Sequence, residues 1–135
     1  MTESKITKQE FEAILKLSPD KRYQYFIKRV CDWEQIYALY EGDGVVLNED
    51  RKGNLFVFLF PFETFASHYA QNEIESSICK AIELEKFINE IMGKLQSHNV
   101  FNALVFPVPG STHKEITNSL VINYFSSSLL ITICV

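Results

Sequence analysis

Cysteine is scarce in this sequence, which holds Cys31, Cys79 and Cys134 in 135 residues. The number is odd, and no Cys-x-x-Cys or cysteine–histidine pair stands at the spacing of metal ligands. The three histidines are equally scattered, with none at the i+3 or i+4 spacing of a helical metal site. The sequence therefore predicts no metal centre, and a reducing cytoplasm is the compartment that it favours.

Glycine-rich motifs and excess positive charge are also missing. No glycine-rich phosphate loop follows a predicted strand, and no Gly-x-Ser-x-Gly elbow is present, so we expect no nucleotide cofactor. The formal net charge is −4, which argues against a broad phosphate-binding surface. One basic cluster exists, formed by Lys21, Arg22, Lys28 and Arg29, and a solvated helix face is its more common role. We therefore expect no nucleic-acid partner.

No charged residue follows Glu115, so residues 116–135 are atypical of the rest of the chain. A membrane anchor needs about 20 mostly apolar residues. Eight of these twenty are polar, which favours a packed final helix or strand over an anchor. The N-terminal residues MTESKITKQE are polar and do not resemble a signal peptide. We therefore expect no membrane association.

The length predicts a single domain over residues 1–135, and the apolar fraction of 47% is that of a globular protein. Thr7–Glu10 has the form of a capping box, which predicts a first helix to about Leu17. Ser18 and Pro19 are suited to begin a second helix, which reaches about Asp32. The helix that follows Pro61 and the amphipathic segment from Glu83 to His98 complete a set of about four helices.

Short turns that contain glycine separate the first apolar segments, which predicts an antiparallel meander followed by one later strand. The predicted strands are Ile36–Tyr40, Val45–Leu47, Leu55–Phe60 and Val100–Phe106. Residues 72–82 are read as a loop with a short strand near Ile78. Both faces of Leu55–Phe60 are apolar, so we expect it to be covered on both sides. The predicted fold class is α+β, an antiparallel sheet of about four strands packed by about four helices.

Four aromatic residues lie where the second helix meets the first strand: Tyr25, Trp33, Tyr37 and Tyr40. If some of them are exposed, they form an aromatic patch of the kind found at protein interfaces. The alternative, that they belong to the core, is the more frequent outcome for such residues.

The candidates for catalysis are weaker. Cys31 has the acidic neighbours Asp32 and Glu34, which raise a thiol pKa, and a half-buried cysteine is its ordinary role. His68 falls on the polar side of the helix after Pro61, so we expect it at the surface. We name no catalytic residue.

The order of short motifs from Lys21 to Pro109 resembles the bacterial family catalogued as domain of unknown function 2750. The matching pieces are Arg22-Tyr23-x-Tyr25-Phe26, Val30-x-Asp32-Trp33-Glu34, Ile36-Tyr37-x-Leu39, Gly53, Leu59-Phe60-Pro61, Phe65-Ala66, Ile82-x-Leu84-x-x-Phe87, Leu95 and Val105-Phe106-Pro107-x-Pro109. The chain departs from the family at Phe60, where such proteins often carry Trp, and after Gly110, where the segment is less charged. The resemblance implies a small cytoplasmic bacterial α+β domain and supplies no catalytic residues.

Three functions stay open from the sequence. The first is a non-catalytic interaction domain that binds a protein partner through the aromatic region around Trp33 and Tyr37. A toxin-neutralising immunity protein is one such case, by analogy with other small acidic proteins. The second is a small-molecule binder with a pocket between sheet and helices, and the third, with the least support, is a hydrolase-like enzyme that uses His68 or Cys31.

Overall fold

The computed structural model describes residues 6–110 and the backbone of residues 119–121. The helices are α1 (Lys8–Leu15), α2 (Pro19–Trp33), α3 (Glu63–Glu73) and α4, which consists of Leu84–Lys86, a π-helical turn Phe87–Ile91 and Met92–Ser97. The strands are β1 (Gln35–Glu41), β2 (Gly44–Val45), β3 (Leu47–Glu49), β4 (Leu55–Phe60), β5 (Ile78–Glu83), β6 (Val100–Val105) and β7 (Ser119–Val121). Apart from β7, the predicted final helix or strand lies outside the described residues.

The first two helices begin where their capping residues predict. The Thr7 hydroxyl accepts a hydrogen bond from the Glu10 N–H at 3.0 Å, and α1 starts at the next residue after this cap. The Ser18 hydroxyl accepts from the Lys21 N–H at 3.3 Å, and a proline follows it at the first helical position. The helix α2 ends at Trp33, and its C-cap residue Glu34 adopts a left-handed φ of 56° and turns the chain into β1.

The strands form one mixed sheet, which corrects the prediction of a purely antiparallel sheet of about four strands. Seven strands from the described part of the chain take part, in the order β5-β1-β4-β6-β7, with β2 beside β1 and β3 beside β4. β1 and β4 are antiparallel, as the meander predicts, but β4 and β6 run parallel, with Val57 opposite Ala103 and Leu59 opposite Val105. The reason is the connection between them. The chain leaves β4 through α3, forms β5 at the far side of β1, and returns through α4, and helical crossovers of this kind bring strands into parallel register.

The sequence predicts a loop with a short strand at residues 72–82, whereas the structure continues α3 to Glu73 and forms the six-residue strand β5. β5 pairs with β1 along its whole length, from Gln35 opposite Glu83 to Tyr40 opposite Ile78. It lies at the edge of the sheet, where only Ile82 is buried. An edge strand needs few apolar residues, and this explains why its sequence carries a weak strand pattern.

The core lies on both faces of β4, whose residues Phe56–Phe60 are all buried, and this confirms the prediction for that strand. On one face Tyr69 of α3 contacts Phe58 and Phe60, with ring centroids 5.6 Å apart in each pair. On the other face α4 contributes the buried Met92 and Leu95. Because successive strand residues point to opposite faces, the sheet forms a middle layer between α3 and α4.

The helix predicted from Glu83 to His98 is confirmed within one residue at each end. Asn99 follows it with a φ of 67°, the left-handed conformation in which asparagine is tolerated. Among residues 6–110 there is no helix long and apolar enough to cross a membrane.

Candidate functional site

A guanidinium group packed between two aromatic rings marks the end of α2. Arg29 and Trp33 are four residues apart, so the helix brings their side chains to one face. The Arg29 guanidinium carbon lies 5.5 Å from the centroid of the Trp33 ring and 4.4 Å from that of the Phe62 ring. Phe62 lies between β4 and α3, far from Arg29 in the sequence. We call Arg29, Trp33, Phe62 and Tyr37 the arginine stack.

Tyr37 connects this stack to the sheet. Its ring meets Phe62 edge-on at a centroid distance of 5.9 Å, and its hydroxyl donates to Gln35 Oε1 at 2.8 Å. Tyr37 and Gln35 are two residues apart on β1 and therefore share a face of the strand. Three members of the stack are half-buried: Tyr37, Phe62 and Arg29. They pack against the fourth member, Trp33, which is exposed.

Trp33 is that exposed member, with 50% of its surface accessible. The exposed carboxylates Asp32 and Glu34 flank it in the chain, and Asp32 pairs with Lys28 at 3.3 Å. Tryptophan is rarely left this open, because its large ring gains much from burial. An ordered, exposed tryptophan stacked on an arginine is typical of a binding surface, where Trp and Arg carry much of the interaction energy.

Tyr25 lies on the inner side of the same helix, one turn before Arg29. Its ring contacts Phe65 at 5.9 Å and Phe106 at 6.1 Å, both of them core residues. Burial raises the pKa of the Tyr25 hydroxyl. That hydroxyl makes no hydrogen bond of good geometry among the described residues, although Arg29 and Glu10 lie nearby. The structure therefore places Tyr25 with the core.

Tyr40 is separated from the stack by the sheet itself. Tyr37 and Tyr40 are three residues apart on β1, so their side chains point to opposite faces. The Lys80 ammonium lies 4.8 Å from the Tyr40 ring centroid, and burial raises the pKa of the Tyr40 hydroxyl. Of the four predicted residues, the structure brings together Trp33 and Tyr37, places Tyr25 in the core next to Arg29, and leaves Tyr40 on the other face of β1.

Two grooves lie on opposite sides of the sheet. The first, of about 420 Å³, separates α4 from the strands β1–β3 and is mainly apolar. It is lined by Tyr40, Asp43, Gly44, Val45, Leu47, Ile91, Lys94, Leu95, His98 and Val100. The second, of about 430 Å³, lies between α3 and β5 and contains Cys79 and Glu63. Burial and the nearby Glu63 carboxylate raise the pKa of the Cys79 thiol to about 12, so this cysteine is a poor nucleophile at neutral pH.

The two residues considered for hydrolysis lie apart from a catalytic arrangement. His68, expected at the surface, is half-buried and meets the Phe11 ring edge-on at 5.2 Å. Among the described residues no hydrogen bond joins the His68 ring to a nucleophile. Cys31 is half-buried, and it is not a free thiol. A catalytic pair would need a nucleophile and a base within hydrogen-bonding reach.

Two members of the arginine stack escaped sequence reasoning. Arg29 was assigned to a solvated basic face, although its i, i+4 spacing to Trp33 was a usable signal. Phe62 joins the stack through the tertiary fold, and no local pattern indicates that. Arg22 was assigned to the same solvated face and is in fact 3% exposed, with Nε donating to the Phe106 carbonyl oxygen at 3.1 Å.

Comparison with known proteins identifies a family without a described activity. The profile of the family described as "Protein of unknown function (DUF2750)" matches residues 23–122, which is 100 of the 135 residues. The chain belongs to this family, and the resemblance inferred from the sequence motifs is confirmed. No curated protein and no solved structure was found to match the chain.

Proposed function

We propose that this member of the DUF2750 family is a non-catalytic, cytoplasmic interaction domain that binds a protein partner through Trp33 and the arginine stack. One observation carries the proposal. Trp33 is half exposed, yet its ring is held against the Arg29 guanidinium, which itself packs on Phe62. Such a ring is already ordered before binding, so association loses little side-chain entropy at this position.

The chemistry of the partner follows from the charges around Trp33. Asp32 and Glu34 are exposed beside it, Lys28 offsets the charge of Asp32, and the whole chain carries a net charge of −4. Charge complementarity at an interface increases the rate of encounter and selects the partner. We therefore expect a partner surface with an apolar depression for the indole and basic residues around it. A toxin-neutralising immunity protein is one case of such a binder, proposed by analogy alone.

The test compares two exposed aromatic residues of the same protein. Tagged wild-type chain, Trp33→Ala and Phe101→Ala are each used to capture proteins from an extract of the cells that produce the chain. Phe101 is the matched control, because it is 41% exposed but lies on β6, away from the stack. We expect one stoichiometric partner with wild type and Phe101→Ala, and a loss of at least about 30-fold in affinity for Trp33→Ala.

The control for folding is the urea denaturation curve of each variant. A folded Trp33→Ala protein that captures the same partner with unchanged affinity removes the stack from the binding surface. A protein that captures no partner at low salt contradicts the interaction function itself. Binding that is insensitive to salt contradicts the basic character assigned to the partner.

A further inference from the structure

The apolar groove between α4 and the strands β1–β3 has no role in the proposed protein interaction, yet it has the size and lining of a ligand site. Its walls are apolar, with Tyr40, Val45 and Leu47 from the sheet and Ile91 and Leu95 from the helix. Its volume of about 420 Å³ falls within the range of small-molecule sites. Leu47 is 36% exposed, which leaves apolar surface open to solvent at the mouth.

Among the described residues, two lysines and one aspartate carry charge at the groove or directly beside it. Lys94 and His98 line the groove from α4, and Lys80 reaches over the Tyr40 ring from β5. Asp43 is the one carboxylate among the described lining residues. This balance runs against the net charge of −4 for the whole chain. An excess of lysine over aspartate beside an apolar wall is a local feature that an anionic ligand would recognise.

Contacts within the protein hold two of these side chains, His98 and Lys80, near the groove. His98 Nδ1 lies 2.9 Å from the Lys94 carbonyl oxygen, so its ring is fixed against the last turn of α4. The Lys80 ammonium is held by its cation–π contact with Tyr40, whose ring also forms part of the groove wall. The Lys80 ammonium therefore lies next to a ring of the apolar wall.

We propose that this groove binds a small amphipathic anion, an aliphatic carboxylate whose hydrocarbon chain lies along the apolar wall and whose carboxylate meets Lys94, with Lys80 nearby at the Tyr40 ring. An apolar chain gains free energy in proportion to the area it removes from water, and the walls offer that area. The carboxylate stays at the solvent-exposed rim, where two ammonium groups offset the repulsion of Asp43. The proposal does not rest on the protein-interaction function.

Octanoate is the probe that tests the proposal, with octanol and octylammonium as probes of equal chain length and different charge. Each is titrated into the full chain labelled with ¹⁵N, and amide shifts are followed by NMR. We expect saturable shifts at Val45 and Ile91 with octanoate, weaker binding of octanol, and the weakest binding of octylammonium. Equal affinity for all three probes, or shifts spread over the whole molecule, overturns the proposal.

Two variants locate the ligand. Lys94→Gln removes one rim cation, and we expect octanoate affinity to fall about threefold, as for one solvent-exposed charge pair. Lys86→Gln is the matched control, because Lys86 is exposed on α4 and does not line the groove. Leu47→Asp places a carboxylate in the groove mouth, and we expect it to abolish octanoate binding. Because Leu47 is exposed, we expect the variant to fold. Unchanged binding by Lys94→Gln and Leu47→Asp overturns the assignment.

Other occupants of the groove give different results in the same experiment. If a second copy of the chain covers it, light scattering shows a dimer that Leu47→Asp dissociates, and octanoate does not bind. If octylammonium binds more tightly than octanoate, Asp43 dominates the rim and the ligand is a cation. Both results contradict the proposed anion.

Discussion

Arg22 offers the sharpest test of how this fold is held together. It lies in the first turn of α2, is 3% exposed, and uses its guanidinium to reach two backbone carbonyl groups, one of them 84 residues away in the chain. Nε donates to the Phe106 carbonyl oxygen at 3.1 Å, and Nη1 donates to the Leu17 carbonyl oxygen at 2.8 Å. Phe106 is itself buried with a left-handed φ of 52°, so Arg22 holds an unusual backbone turn at the end of β6.

Replacing Arg22 by methionine keeps much of the side-chain volume and removes the donors. Leaving a buried carbonyl without its partner costs about 1–3 kcal/mol, which applies in full to Phe106 and in part to the part-buried bond at Leu17. Relief of the desolvation of a buried charge offsets part of that cost. We therefore expect Arg22→Met to lower the free energy of unfolding by about 2–4 kcal/mol, out of the roughly 5–15 kcal/mol typical of a domain.

Urea denaturation followed by circular dichroism measures this difference. We expect the midpoint to fall by about 1–2 M with an unchanged slope. Arg22→Lys keeps the charge but has no planar fork to reach both carbonyls, so it should lie between methionine and wild type. Arg51→Met, in an exposed turn, is the matched control and should stay within about 0.5 kcal/mol. An Arg22→Met protein as stable as wild type would refute the reasoning, because relief of the buried charge would then outweigh both hydrogen bonds.

Two further predictions concern buried hydroxyl and thiol groups. Burial raises the pKa of Tyr69 to about 12, and burial with Glu63 raises that of Cys79 to about 12. Both folded values lie above the ordinary ones of 10.0 and 9.0, so the stabilisation is complete at neutral pH and is lost as pH rises from about 9 to 12. Urea midpoints measured across this range should fall, and the fall should be shallower in Tyr69→Phe and Cys79→Ala; parallel curves contradict the assignment. Tyr25→Phe removes a buried hydroxyl that lacks a well-formed hydrogen bond, so the free energy of unfolding should stay equal or rise by about 1 kcal/mol. If the same denaturation assay shows the free energy of unfolding to fall by about 1 kcal/mol or more, the hydroxyl has a hydrogen-bond partner in the folded protein.

Local features of the fold were predictable because their causes are local. The caps at Thr7 and Ser18 depend on residues three positions away, and the apolar faces of Leu55–Phe60 can be read within six residues. The parallel pairing of β4 with β6 depends on where two helices carry the chain, which no short pattern records. An antiparallel sheet was therefore the natural extrapolation from the visible hairpin turns.

Arg22 shows a different kind of failure, one in which the signal was present. It shares the i, i+4, i+8 stripe of α2 with Phe26 and Val30, both of which are fully buried. The spacing placed Arg22 on the apolar face, while its residue type suggested solvent. The partner that makes burial tolerable, the Phe106 carbonyl, lies 84 residues away in the chain. Position on a helix face therefore outweighed residue type here.

The sheet also separates the two proposed binding surfaces, and this decides how their variants should be interpreted together. Tyr37, in the arginine stack, and Tyr40, in the groove, point to opposite faces of β1. No residue of the arginine stack lines the groove among the described residues. Effects at sites without shared partners usually add. Trp33→Ala should therefore leave octanoate binding intact, and Lys94→Gln should leave partner capture intact. A destabilised variant that weakens both activities acts through the stability of the fold. A variant that keeps wild-type stability and still weakens both would show that the sheet transmits a change from one face to the other.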